Sequence, residues 1–342
     1  MDLLDKSDYA LLNKLQENPF NIRQIAREIG LSYYRARRRI IRLVTEEKIV
    51  KVCGIPIYPK LGLTMVVFIL DKLLDTDLDM KVEYGRNKIR LLGGLTLLTY
   101  TIPNEFIGDL VEFIKTLYGD DSIVFHRAYD NMIIEKKDFY LLDDYSYLDN
   151  LVNLSVLDDD VYREQYTRQY LDEIDLFIVK ELEKNAIINI TSIARKLRIS
   201  KQLVRYHMKH HVLARELVKF TVKVFRDMNE YPIWYFSIDF ADPLSAAIFA
   251  KRIARLPYIT SVYISNSSII TSGLHMSTPL AMKFMKILDH LIENDIVTGY
   301  RYYIQNPSKL AVKYTIPYKM YKNGKWKQSR ILQMIKKGKV ET

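Results

Sequence analysis

Between Asn21 and Val44 apolar residues recur at helical spacing on both sides of a glycine, a pattern that leaves few folds open to the chain. Ile22, Ile25, Ala26 and Ile29 share one helix face, Gly30 can take the positive φ that ends it, and Ser32 is a good N-cap for a second helix. The turn therefore falls at Gly30-Leu31. From Tyr33 onward Ala36, Ile40, Leu43 and Val44 form one apolar stripe, which leaves Tyr34, Arg35, Arg38 and Arg42 on the outer face and Arg37 and Arg39 on its flanks. Two helices joined by a tight turn, the second loaded with guanidinium groups, have the shape of a helix-turn-helix reader. Arginines fork onto phosphates or onto the acceptor edge of guanine, and a tyrosine at the helix start, here Tyr33 or Tyr34, can stack or bond a phosphate. The alternative is a basic face that is merely solvated.

Around this stretch the chain reads in modules. Leu4 to Gln16 is an amphipathic helix with Leu11, Leu12 and Leu15 inward and Ser7 as its cap, and Lys48 to Cys53, interrupted by Gly54 and Pro56, has the look of a wing hairpin. A winged helix-turn-helix thus occupies residues 1–60. Over residues 61–135, Leu63 to Leu70 suits a buried strand, a helix is expected near Asp75 to Asn87, and two strands flank Gly93-Gly94. The helix Glu105 to Leu117 and a last strand, Ile123 to Ile134, complete the order β-α-β-β-α-β of a ferredoxin-like split unit, with helices on one face of an antiparallel sheet. A second such sheet is the economical cover for the bare face. Residues 136–170, rich in Asp and Tyr with Asp143-Asp144 and Asp158-Asp159-Asp160, form a connector that packs on a surface or holds a short helix.

The pattern then recurs. Leu171-Asp-Glu-Ile-Asp175 repeats Leu4-Asp-Lys-Ser-Asp8, Leu182 and Asn185 repeat Leu15 and Asn18, Ile193-Ala-Arg195 repeats Ile25-Ala-Arg27, and Ser200 and Arg205 stand where Ser32 and Arg37 stood. A second winged helix-turn-helix covers residues 171–230, with its wing at Glu216 to Arg226, and a second β-α-β-β-α-β unit covers residues 231–316. The second reader offers Ser200, Lys201, Gln202, Arg205, Tyr206 and Lys209 outward, with Val204, Met208 and Val212 inward. Residues 317–342 make a basic C-terminal tail, which either touches phosphates or packs its apolar edge on a neighbour. The fold class is α+β: two winged helix-turn-helix domains, each followed by a ferredoxin-like domain.

At this point the chain resembles the Lrp/AsnC (leucine-responsive, or feast/famine) transcription regulators. Leu4-Asp5, Asp8, Leu11, Leu15, Asn18, Ile25-Ala26, Ile29-Gly30-Leu31-Ser32 and Arg39-Ile40 carry the likeness in the first half, and Leu171-Asp172, Asp175, Ile178, Leu182, Asn185, Ile193-Ala194 and Ile199-Ser200 in the second. The resemblance implies sequence-specific binding of double-stranded DNA, a homodimer, and a small-molecule effector, an amino acid or other metabolite, held between modules. The chain departs by fusing two units and by placing His207 and Met208 where Arg39 and Ile40 stand, so the operator is expected to be asymmetric.

The formal charge of +10 favours a polyanionic partner. Cys53 is the sole cysteine, which excludes an intrachain disulfide and any thiolate-rich metal or cluster site within one chain. No apolar run approaches the ~20 residues of a spanning helix, and the N-terminus lacks a positive region before an apolar core, so a cytoplasmic, nucleoid-associated protein without a membrane partner is expected. There is no phosphate-binding glycine loop and no nucleophile elbow, which points away from an enzyme and from a bound cofactor. His207, His210 and His211 invite a metal or pH-switch reading, but no carboxylate or thiol at ligand spacing completes a set, and contact with phosphates or a rim position is the preferred reading. His126, His275 and His290 are isolated and read as structural. Two alternatives stay open: an enzyme resembling sirohaem decarboxylases, which share this architecture, and an architectural chromatin protein whose binding tracks salt but not sequence.

Overall fold

In each head the helices begin where a short polar side chain takes the orphan N–H groups of the first turn. The computed structural model describes residues 4–74, 82–142, 144–152, 154, 167–309 and 311–336. In the first head the helices Lys6–Leu15, Ile22–Glu28 and Tyr33–Ile41 are capped by Asp5, Asn21 and Ser32. In the second, Glu173–Lys184, Ile190–Leu197 and Lys201–Tyr206 are capped by Asp172, Asn189 and Ser200. The first cap is Asp5, not Ser7, because Asp5 and Asp8 form a reciprocal capping box, which Asp172 and Asp175 repeat. Both reader helices loosen into a π turn, Arg42–Glu46 and His207–Leu213. Gly30 takes φ +71° at the first turn, while Arg198 must take φ +57° at the second.

The expected wing hairpins do not form. Val50–Pro56 is one seven-residue strand, and it pairs antiparallel, from Val50 opposite Val224 to Pro56 opposite Val218, with the single strand Val218–Val224 of the second head. Gly54 stays inside the strand rather than turning it: a β-carbon there would sit 2.3 Å from Val218 Cγ1 and 3.4 Å from Leu182 Cβ. The ribbon is also crossed, since Glu173–Lys184 packs on the strand of the first head while Lys6–Leu15 packs on that of the second.

Behind the ribbon lie two antiparallel sheets. The first runs Val312–Lys313, Gly85–Arg90, Thr96–Ile102, Thr64–Leu70, Ile123–Tyr129 across its width. In the second, Ile233–Phe240 lies between Val297–Ile304 on one side and Ser268–Thr271 followed by Leu274–His275 on the other, and Val262–Ser265 and Asn131–Ile133 extend it. Ile107–Tyr118 packs Leu110, Phe113 and Ile114 on the first sheet, and Pro243–Ala254 and Thr278–Glu293 pack on the second, where Phe236, Phe249 and Phe284 meet ring to ring. Alternation along Ile233–Phe240 sends Phe236, Ile238 and Phe240 to the helices and Ile233 and Tyr235 to the opposite side, toward the first sheet.

Further expectations are corrected or refined. Gly85–Arg90 is strand, so no helix reaches Asn87, and the stretch 75–81 lies outside the described residues. The strand expected from Ile123 to Ile134 breaks at Asp130, and its end, Asn131–Ile133, joins the other sheet; Val312–Lys313 makes the reciprocal crossing. The connector holds the turns Phe139–Leu141 and Ser146–Leu151, with Phe139 and Leu142 buried in the head core and Leu148, Leu151 and Leu154 on the second sheet's helices; its acidic runs at 143 and 158–160 lie outside the described residues. The tail is no free basic arm as far as residue 336. A hairpin, Tyr321–Lys322 with Lys325–Trp326, turns at Asn323-Gly324, buries Trp326 with its Nε1 donating to Leu61 O at 2.8 Å, and leads to the helix Arg330–Lys336 against Ile107–Tyr118.

Candidate nucleic-acid interface and the cavity behind it

Ser32 Oγ accepts from Arg35 N at 3.3 Å, which fixes the start of the first reader helix and the side from which its side chains leave. Tyr34 is 79% exposed, and Arg35, Arg37 and Arg38 stand exposed with no carboxylate partner among the described residues. Tyr33 is partly buried under the Arg23 guanidinium, 5.5 Å from its ring centre. Arg39 and Arg42 are not part of the free face. Arg39 Nη1 donates to Asp5 Oδ2 at 2.8 Å and Asp8 Oδ1 at 2.7 Å, and Arg42 Nη2 to Asp8 Oδ2 at 2.6 Å. They compensate a carboxylate, Asp8, that is 1% exposed, and so pin the reader helix to the first helix.

In the second head Ser200 Oγ accepts from Leu203 N at 3.1 Å, and Lys201, Gln202, Arg205, Tyr206 and Lys209 are all exposed. Tyr206 rests 5.1 Å from the His210 ring. His207 is buried and His211 half-buried, so neither fills the rim position expected of it, whereas His210 is exposed. Their Nδ1 atoms turn instead to Asp175. A carboxylate distant in sequence thus stands where spacing along the helix showed none.

A feature that sequence reasoning missed lies between the sheets and under the ribbon: a cavity of about 400 Å³ lined by Met65, Val67, Ile89 and Leu97 from the first sheet and Ile233, Tyr235 and Ile270 from the second. Its lining is cationic, with Lys51, Arg86, Lys184, Lys223 and Lys313 against the single acid Glu183. Lys51 and Lys223 sit directly opposite each other on the ribbon, a pairing that repels. At the mouth, partial desolvation together with the nearby Lys223 and Lys51 ammoniums holds the pKa of Lys313 below the ordinary lysine value. Burial, with Lys313, Lys223 and Arg226 nearby, pushes His275 down to about 4. Deeper in, Arg86 is 4% exposed; its Nη2 pairs with Glu183 and donates to Tyr58 Oη at 3.0 Å, while its Nε and Nη1 and the Tyr258 hydroxyl have no hydrogen-bond partner among the described residues. Unpaired buried donors and crowded lysines suit a small anion. The sequence signal was diffuse, because these residues come from many separated segments that the pairing of the two halves brings together.

Residues 171–210 match the winged helix-turn-helix DNA-binding family model. A 100-residue stretch, 28% of the chain, is 31% identical to an uncharacterized HTH-type transcriptional regulator of Pyrococcus horikoshii and equally to one of Pyrococcus furiosus; the chain spans 66% of the length of each. Among solved structures the chain is similar to the sirohaem decarboxylase NirDL, at 15% identity and a TM-score of 0.53, over 91% of this chain and 94% of that one. An AsnC family transcriptional regulator from Agrobacterium tumefaciens aligns with 36% of the chain at 20% identity and a TM-score of 0.28. No helix among the described residues is long and apolar enough to cross a membrane.

Proposed function

We propose that the chain is a sequence-specific double-stranded DNA-binding transcription regulator of Lrp/AsnC type, a tandem of two reader-plus-sheet units that pair within one chain and bind ligands rather than transform them. The observation that carries this reading is the division of labour among the arginines of the first reader: Arg39 and Arg42 hold the head together, and Arg35, Arg37 and Arg38 are left outward and uncompensated. The second head presents the equivalent face with Lys201, Gln202, Arg205, Tyr206 and Lys209, all inside the stretch that matches the DNA-binding family model. Because the two faces differ, the operator stretch read by one chain is asymmetric, and a homodimer of such chains reads two copies of it in the cytoplasm at the nucleoid. The effector is a small anion, an amino acid or a metabolite carboxylate, seated on Arg86, Lys51, Lys223 and Lys313. Selection of bound fragments from genomic DNA tests the reading: one sequence should be enriched, and Arg35→Ala or Arg38→Ala should each weaken its binding by about 1–3 kcal/mol. Binding that follows salt alone, equal on all sequences, would support an architectural protein instead.

The cationic cavity also favours a second reading, an enzyme acting on a polycarboxylate such as a tetrapyrrole, in line with a fold shared over nearly the whole chain with a sirohaem decarboxylase. Adding sirohaem separates the two. A shifted absorption band followed by release of carbon dioxide supports the enzyme, and an unshifted band removes it.

A further inference from the structure

The two heads solve the same electrostatic problem with different cations, and the difference marks a site. In each, the capping box commits one oxygen of each aspartate to the backbone: Asp8 N donates to Asp5 Oδ1 at 2.8 Å and Asp5 N to Asp8 Oδ2 at 3.1 Å, and Asp175 N donates to Asp172 Oδ1 at 2.8 Å and Asp172 N to Asp175 Oδ2 at 3.2 Å. The remaining oxygens, Oδ2 of the first aspartate and Oδ1 of the second, are thereby aimed at one point. In the first head Arg39 Nη1 fills that point, 2.8 and 2.7 Å from the two oxygens. In the second the residue in the Arg39 position is His207, and the π turn swings His211 in beside it. His207 Nδ1 lies 2.8 Å from Asp175 Oδ1 and 3.5 Å from Asp172 Oδ2, and His211 Nδ1 lies 3.0 Å from the same Asp175 oxygen. Asp175 is 1% exposed, and no lysine or arginine pairs with it or with Asp172 among the described residues. A buried carboxylate that faces two imidazoles, neither permanently charged, is short of the fixed cation its counterpart has.

We propose that Asp172, Asp175, His207 and His211 bind one divalent transition-metal ion, of the Zn²⁺ or Co²⁺ type, at the point Arg39 fills in the other head. The ligand atoms all lie within 4.8 Å of one another. Tetrahedral coordination at the ~2.0–2.1 Å bond lengths of nitrogen and carboxylate ligands puts neighbouring donors about 3.3 Å apart. The observed 2.8, 3.0 and 3.5 Å straddle that spacing, and ligand atoms that stand as much as 4.8 Å apart close by up to about 1.5 Å to meet one ion. Two imidazoles and two carboxylates suit zinc, cobalt or nickel over calcium or magnesium, which prefer oxygen alone. The capping bonds serve as the outer shell, holding each carboxylate by its far oxygen. The ion ties Glu173–Lys184 to the start of the π turn and so fixes the helix that carries Lys201 and Arg205.

Cobalt is the probe. Titrated into the full-length protein, Co²⁺ should give a visible absorption band of a tetrahedral nitrogen–oxygen site that saturates at one equivalent per chain. His211→Ala should weaken it by more than about 10-fold, a loss that even an outer partner produces. His207→Arg, which copies the first head, should abolish the band while retaining the wild-type circular dichroism, and Zn²⁺ should raise the melting temperature of the wild type but not of His207→Arg. Absence of the band in the wild type, or an equal band and equal Zn²⁺ response in both variants, overturns the site and leaves a hydrogen-bonded histidine pair. Both readouts omit DNA, so their failure is separate from failure of the DNA-binding reading.

Discussion

At the scale of single residues, the arginines of the first reader separate by what faces them. Arg39→Ala removes one hydrogen bond from Asp8, a carboxylate that is 1% exposed, and one from the exposed Asp5, so it should lower the stability of the fold by about 1–3 kcal/mol, read as a fall in the urea midpoint. Arg35→Ala should leave that midpoint within about 0.5 kcal/mol, since its side chain is exposed and pairs with no carboxylate among the described residues. The sequence made the outer face legible through the 3.6-residue period. It did not reveal that Arg39 and Arg42 are committed, because their partner Asp8 lies a helix and two turns away. Arg198 carries a related cost. It holds φ +57° where the other head has Gly30, and Arg198→Gly should stabilise the chain by about 0.5–1 kcal/mol in the same measurement. His275 sets a pH dependence. Its folded pKa of about 4 lies below the unfolded value of 6.5, so at intermediate pH the unfolded chain takes up a proton that the folded chain refuses. Stability is therefore complete above about pH 6.5 and falls, by of order 1–3 kcal/mol, as pH drops toward 4. His275→Gln should flatten that part of the curve of urea midpoint against pH.

Among elements, the ribbon formed by Val50–Pro56 and Val218–Val224 decides how the heads are joined. Its residues alternate as a strand should, and the sequence read them as strand-forming. Glycine and proline after the first of them, however, are equally the marks of a turn, and the true partner lies in the other half of the chain. Only packing distinguishes the cases: Gly54 is required because Val218 and Leu182 leave no room for a side chain. Gly54→Ala should accordingly cost about 1–3 kcal/mol through overpacking, and a thermal melt that shows no loss would mean the ribbon is looser than described. The broken strand at Asp130 obeys the same logic, since Asn131–Ile133 and Val312–Lys313 each find their partner in the opposite sheet. Periodicity indicates that a segment is extended, not which edge it will join.

For the whole molecule, the crossed ribbon, the exchanged edge strands and the shared core make the two halves one body around a cationic cavity. The recurrence of capping and turn residues was legible because it is local. The cavity and the Asp–His cluster were not, because each is assembled from segments whose meeting is fixed only when the halves pair. The central claim is that the two outward faces read a base sequence together. Its most direct test is a titration of the full-length protein, at one salt concentration, on its selected fragment and on a scrambled fragment of equal length. The account predicts at least about 10³-fold preference for the selected fragment, lost in large part when Arg35 and Arg38 are both replaced by alanine. Equal affinity for both fragments, unmoved by that replacement, would contradict it.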